Sequence, residues 1–304
     1  MVEAPPPGRA RTALIPSLAL GAATGLLLNA FVWGVSWYPF RRLEAAGLHP
    51  LWATVCIYAL ALAALLLWRP RAWRELGRSP LLVLLMLASG LTNVGFNWAV
   101  TSGDVVRVVL LFYLMPAWTV LLAWAWLGQR PDAGALGRLA LALAGVFLVL
   151  QTPESPWPWP RSLPDALALL GGLSFALTNL LLLKLKDTPD EARAFGMFGG
   201  GLLLALAVAL LAAPAGRVPL PPPPAAGWVL LALTLSLAFL AANLGLQYGA
   251  ARLSAHATAL ILLTEVVFAS VSSVLLEAAQ LQARTLAGGA LILLAALWSA
   301  ARGR

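Results

Sequence analysis

Along the chain, long stretches of Leu, Ala, Val and Phe alternate with short segments that gather Arg, Pro, Asp and Glu. A membrane helix needs about 20 mostly apolar residues. By that rule the pattern predicts ten spans, at 14–38, 50–68, 80–101, 104–127, 134–151, 164–185, 194–213, 226–249, 254–276 and 281–301. Arg9 and Arg11 precede the first as they would a secretory signal. Its apolar stretch, however, runs on to Phe40 with no Ala-x-Ala-like cleavage site, so it reads as a retained span. Segments 1–8 and 214–224, the latter with Pro221 to Pro224 in a row, are expected to be extended, solvated connectors.

Composition strengthens this pattern. The chain is 61% hydrophobic and 11% charged, with a mean hydropathy of +0.86, whereas soluble domains carry about 25% charged residues. The expectation is an all-α polytopic membrane protein. The net charge of +8 is spread singly between apolar runs and forms no basic face for nucleic acid. Cys56 is the single cysteine, which excludes an intrachain disulfide and a thiolate cluster, and His49 and His256 leave little for zinc or haem. Neither Lys184 nor Lys186 sits in a Gly-x-x-x-x-Gly-Lys loop, so ATP hydrolysis is not expected. No cofactor is implied.

Lys and Arg placement gives an orientation. With both termini cytoplasmic, the inside segments hold most of the 20 basic residues, among them Arg69, Arg71, Arg74, Arg78, Lys184, Lys186, Arg193 and Arg252. Only Arg41, Arg42, Arg161, Arg217 and Arg284 lie outside. Residues 1–13 then form a cytoplasmic tail, and 152–163 a periplasmic linker with Trp157 and Trp159 as interfacial anchors.

The two halves resemble each other. Asn93-Val-Gly-Phe-Asn-Trp98 and Asn243-Leu-Gly-Leu-Gln-Tyr248 share their polar, Gly and aromatic positions at an offset of 150, and Arg107…Pro116 matches His256…Glu265 at 149. Each half holds five spans, an odd number, so the second copy enters the bilayer upside down. The reading is two inverted five-helix repeats, 14–151 and 164–301, a plan on which secondary transporters place their substrate at the repeat interface.

Polar residues within the spans are the candidate site, because an ionisable group in hydrocarbon is costly and faces a cavity or a partner. Glu265, mid-span, is a coupling group for protons or a substrate amine, or a packing bond. Arg107 either pairs with Asp104 on its own helix face or receives a substrate carboxylate. His256, at the equivalent depth, is a gating candidate. Asn93 and Asn97, and Asn243 and Gln247, are read as amides lining a pocket, with interhelical bonding as the alternative. Asn29 and Trp33 extend that lining, and Asn179 is a further candidate. Trp98, Tyr113 and Tyr248 suit an apolar or aromatic substrate. Pro116 is a kink point.

Trp33-Gly34-Val35-Ser36, Pro50, Leu111-Phe112-Tyr113-Leu114-Met115-Pro116, Leu263-Thr264-Glu265-Val266 and Leu276-Glu277 together resemble EamA-type members of the drug/metabolite transporter superfamily, as two EamA repeats. The resemblance implies ten helices, residence in the bacterial inner membrane, and export of amino acids or related metabolites. Neutral or aromatic amino acids are the first expectation, with protons as a possible coupling partner. A lipid or polyprenyl-phosphate translocase of the same fold is the alternative. A membrane-embedded transferase is remote, since no Asp-rich metal motif is present and Ser174 lacks a Gly-x-Ser-x-Gly setting.

Overall fold

A computed structural model describes residues 9–128, 130–150, 160, 162–250, 252–253, 258, 261–276 and 282–302. The described regular structure is helical: α1 (Arg9–Val35), α2 (Trp37–Ala45), α3 (Pro50–Trp68), a 3₁₀ connector (Ala72–Arg78), α4 (Pro80–Ser102), α5 (Val105–Phe112), α6 (Met115–Leu127), α7 (Ala133–Leu150), α8 (Leu163–Lys184), α9 (Asp190–Ala212), α10 (Ala226–Ala250), α11 (Thr264–Leu275) and α12 (Ala283–Arg302). Among the described residues, seven stretches are long and apolar enough to cross a membrane: Leu20–Ala45, Pro50–Trp68, Pro80–Ser102, Val105–Trp126, Leu163–Lys184, Asp190–Ala212 and Ala226–Gly249. Three shorter apolar helices, Ala133–Val149, Thr264–Leu275 and Ala283–Ala295, accompany them. The chain is an all-helical membrane protein. Of the predicted ninth span, residues 254–257 and 259–260, His256 among them, lie outside the described residues.

Local chemistry sets several helix ends. Pro50, Pro80 and Pro164 stand in the first turns of α3, α4 and α8, where a missing N–H costs nothing. The His49 imidazole accepts the Leu51 N–H at 3.2 Å, and Ser162 accepts that of Asp165 at 3.2 Å. Gly128, at φ 65°, closes α6 in the left-handed conformation that glycine favours.

Some predicted boundaries move, and one predicted span divides. The first span continues past 38 to Ala45, with one turn at Ser36. Its added turns let Arg41 donate to the Thr101 carbonyl at 3.2 Å and the Gly103 carbonyl at 2.5 Å, satisfying the C-terminal end of α4. The helix predicted from 194 begins at Asp190; an apolarity rule omits Asp190 and Glu191, yet acidic residues favour a helix N-terminus. The span predicted as continuous over 104–127 is two helices, α5 and α6. Proline has no N–H, so Pro116 leaves the Phe112 carbonyl, four residues back, without its helical partner.

Lipid tails are as apolar as leucine, so close packing rather than hydrophobicity holds such helices together. The outward faces carry exposed Leu67, Leu183, Leu211, Leu230 and Val267, as a lipid-covered surface would. Buried clusters form around α5, whose Val105, Val106, Val108, Val109, Leu110 and Leu111 are all enclosed, and between α3, α9 and α10. The contacts are reciprocal. Helix α1 packs on α10 and α11, and α8 packs on α4, α5 and α6; α3 faces α9, and α7 faces α12. Small residues permit close approaches: a Cβ at Gly245 would lie 2.6 Å from the Gly25 carbonyl oxygen, and one at Gly95 would lie 2.8 Å from that of Leu167.

Candidate functional site

Two helix breaks face each other deep in the bundle. Helix α6 begins after Leu114 and α11 after Leu263, positions 149 apart, each with right-handed backbone at the break. At both the ladder tightens: the Ala117 N–H donates to the Leu114 carbonyl at 2.9 Å, and the Val266 N–H to the Leu263 carbonyl at 3.2 Å. The Tyr113 hydroxyl joins the breaks, lying 3.0 Å from Glu265 Oε2 and 3.1 Å from the Leu262 carbonyl oxygen. The Thr264 hydroxyl donates to the Ile261 carbonyl at 2.6 Å. A hydroxyl has one proton, so with Glu265 ionised Tyr113 serves only one of its two acceptors fully. With Glu265 protonated, its own O–H donates to the Tyr113 oxygen, and Tyr113 donates to Leu262.

At the end of the bundle that carries Arg41, three latches tie helices together. The Trp37 indole N–H donates to Ser272 Oγ at 2.9 Å, joining α2 to α11. Arg41 holds the end of α4 and lies over the Trp37 ring, 5.2 Å from its centroid. Arg107 grips Asp165 on α8 through Nε at 2.8 Å and Nη2 at 3.0 Å, and its Nη1 donates to the Val149 carbonyl of α7. The local pair anticipated between Arg107 and Asp104 is replaced. Asp104 caps α5 by accepting the Arg107 backbone N–H at 2.8 Å, which leaves the guanidinium for Asp165.

The two amide pairs are used differently. Asn93 accepts from the Tyr58 hydroxyl and donates to the Ser89 carbonyl at 2.8 Å, while Asn97 donates to Thr54 Oγ1 at 3.1 Å. Both are buried, binding α4 to α3. Gln247 donates to Asn243 Oδ1 at 2.8 Å. Asn29 donates to the Ala242 carbonyl at 3.0 Å, bonding α1 to α10, whereas Asn179 is exposed. Trp33 lies between Phe96 and Phe239, at centroid distances of 5.8 and 4.5 Å. Trp98 meets the His49 ring at 5.1 Å. Buried polar atoms left without a partner include Asn97 Oδ1, Trp118 Nε1 and Gln247 Oε1.

The opposite, arginine-rich end is open. A cleft of about 280 Å³ lies between the ends of α3, α9 and α10, lined by Arg69, Asp190, Glu191, Gln247, Tyr248 and Arg252 over apolar Leu65, Ala194 and Leu244. Tyr248 is 37% exposed, and the Arg252 guanidinium lies over its ring at 3.7 Å. A second cleft of about 280 Å³ beside it shares Glu191 and adds Arg71, Arg74 and Arg78.

Reading the sequence missed Thr54, Tyr58, Asp165 and Glu191. One signal was available: Thr54 and Tyr58 stand four apart on one helix, the same ladder as Asn93 and Asn97. The Arg107–Asp165 pair spans 58 positions and leaves no periodic trace.

The sequence model of the EamA-like transporter family matches residues 20–151. An uncharacterized transporter of Pseudomonas aeruginosa is 28% identical over 193 residues, which are 60% of this chain and 61% of that protein. The alignment therefore spans less than two thirds of the relative's length. A solved crystal structure covers 91% of this chain and 95% of its own at a TM-score of 0.56 and 17% identity, and so shares the fold. Residues 20–151 are thus similar to the EamA-like transporter family.

Proposed function

We propose that this chain is a secondary transporter of the bacterial inner membrane, exporting small amphipathic metabolites, neutral or aromatic amino acids first among them. Two inverted five-helix repeats, 14–151 and 164–301, would alternate access to a site near the bilayer midplane. The observation that carries this reading is the pair of breaks at Leu114 and Leu263, meeting through Tyr113 and Glu265. Interrupted spans at a repeat interface are where such transporters hold substrate and coupling ions.

Reciprocal packing supports the duplication. The carbonyl of Phe112, at the first break, approaches Gly172 of α8 so closely that a Cβ there would lie 2.5 Å away. The carbonyl of Glu265, at the second, approaches Gly34 of α1, where a Cβ would lie at 2.7 Å. Each break therefore rests on the first long helix of the other half, as exchange between two related copies requires. Glu265 is the coupling group in this reading, because its protonation redistributes the hydrogen bonds that join the breaks.

Purified protein in liposomes, loaded with labelled leucine or phenylalanine and given a pH gradient, tests the proposal. Flux should follow the gradient, and Glu265→Gln should remove that dependence while leaving exchange. Absence of flux with any amino acid, together with movement of labelled lipid between leaflets, would replace this reading with lipid translocation.

A further inference from the structure

From the cleft at the arginine-rich end, we infer a recognition site for small zwitterions, used to load substrate before it reaches the helix breaks. The walls carry opposite charges. Glu191, in the first turn of α9, forms no ion pair among the described residues, while its neighbour Asp190 is held by Arg193. Facing it, Arg252 spends Nη1 on the Tyr248 carbonyl at 3.0 Å and lies over the Tyr248 ring, keeping further N–H groups for an anion. Arg69, fixed over the Trp68 ring at 4.7 Å, adds a second cation to the cleft.

Gln247 sets the polarity of the missing partner. One N–H of its amide donates to Asn243 Oδ1, which fixes the amide's orientation, and its Oε1, buried and accepting nothing, calls for a donor. An ammonium group beside Glu191 and Gln247, with its carboxylate towards Arg252 and Arg69, satisfies these groups together. Leu65, Ala194 and Leu244 leave an apolar wall for a side chain. The volume, about 280 Å³, is at the lower limit of ligand pockets, about 300–1,000 Å³, and suits an amino-acid-sized solute. Both clefts open at this end, while the other is latched by Trp37, Arg41 and Arg107, so the conformation is one in which a solute to be exported would be taken up.

The inference rests on the transport reading for the identity of the solute, but its test needs no transport. Cys56 is the single cysteine, so Cys56→Ala with Leu244→Cys places one thiol in the cleft wall. Alkylation of that thiol by a maleimide is followed in detergent-purified protein with leucine, leucine methyl ester or N-acetyl-leucine present. Leucine should slow alkylation strongly, and the two derivatives, each lacking one charge, should need about tenfold or more higher concentration for the same protection. Adding Glu191→Gln should weaken protection by leucine by about tenfold while leaving that by N-acetyl-leucine unchanged. An unliganded alkylation rate equal to the parent's verifies that the variant is folded. Equal protection by all three compounds, or by none, overturns the site even if leucine is transported. Phosphatidylethanolamine carries the same ammonium–anion chemistry. In nanodiscs, protection by that lipid with no amino acid added would assign the cleft to a headgroup and overturn the solute reading.

Discussion

Replacing Arg107 by Leu separates two roles for this residue. Its guanidinium makes two bonds to Asp165, at 2.8 and 3.0 Å, and a third to the Val149 carbonyl. The Asp165 side chain is 5% exposed and that of Arg107 is 23% exposed, so removing the cation strands a carboxylate that water barely reaches. Breaking a buried pair from one side costs about 3–5 kcal/mol, and partial exposure of the arginine puts the expectation near the lower figure, about 3 kcal/mol. Removing both partners, with Asp165→Leu added, leaves no stranded charge and should recover most of that loss. The four proteins are compared by reversible unfolding in bicelles, where the cycle should give a coupling of about 2–3 kcal/mol. A single variant within about 0.5 kcal/mol of the parent, with additive losses in the double, would refute the latch. If such a stable Arg107→Leu protein instead needs far more substrate for half-maximal flux, Arg107 receives a substrate carboxylate.

Other outcomes follow from the same contacts. Gly245→Ala places a methyl group 2.6 Å from the Gly25 carbonyl oxygen and should cost about 1–3 kcal/mol. Gly227→Ala meets nothing within 4 Å in a helix and should be neutral or stabilising by up to about 1 kcal/mol; thermal unfolding in one detergent orders the two. Thr54→Val deprives the Asn97 amide of its acceptor and should cost about 0.6–1.7 kcal/mol, read by the same melts. His49, outside the spans, is held below its ordinary 6.5 by burial, so the folded state prefers the neutral ring that accepts the Leu51 N–H. As pH falls below 6.5 the unfolded chain binds this proton first and stability drops until the folded ring titrates too. His49→Gln should flatten that part of the stability–pH curve, and an unchanged curve would dismiss the assignment.

The long apolar runs made most helices legible, because span length is dictated by bilayer thickness and not by tertiary context. Continuity within a span was not legible in the same way. Residues 104–127 are apolar on both sides of Leu114, and hydropathy is blind to a ladder that tightens for one turn. Polarity marked Asn93, Asn97, Asn243 and Gln247 as notable, yet it could not distinguish a cleft wall from a bond between helices, since both require a paired amide. Arg107 shows the deeper limit. Asp104, three residues earlier, was the partner local spacing suggested, while Asp165 wins because α8 brings it in from another part of the chain.

The paired breaks also limit how force travels through the bundle. A continuous helix carries torque from one membrane face to the other, whereas one interrupted midway lets each half pivot as a separate lever. With the apolar residues of α5 enclosed in the core and α11 resting on α1, the joint at Tyr113 and Glu265 is where two such levers share a fulcrum. A compound that splinted that joint would immobilise both at once without occupying the cleft at either membrane face.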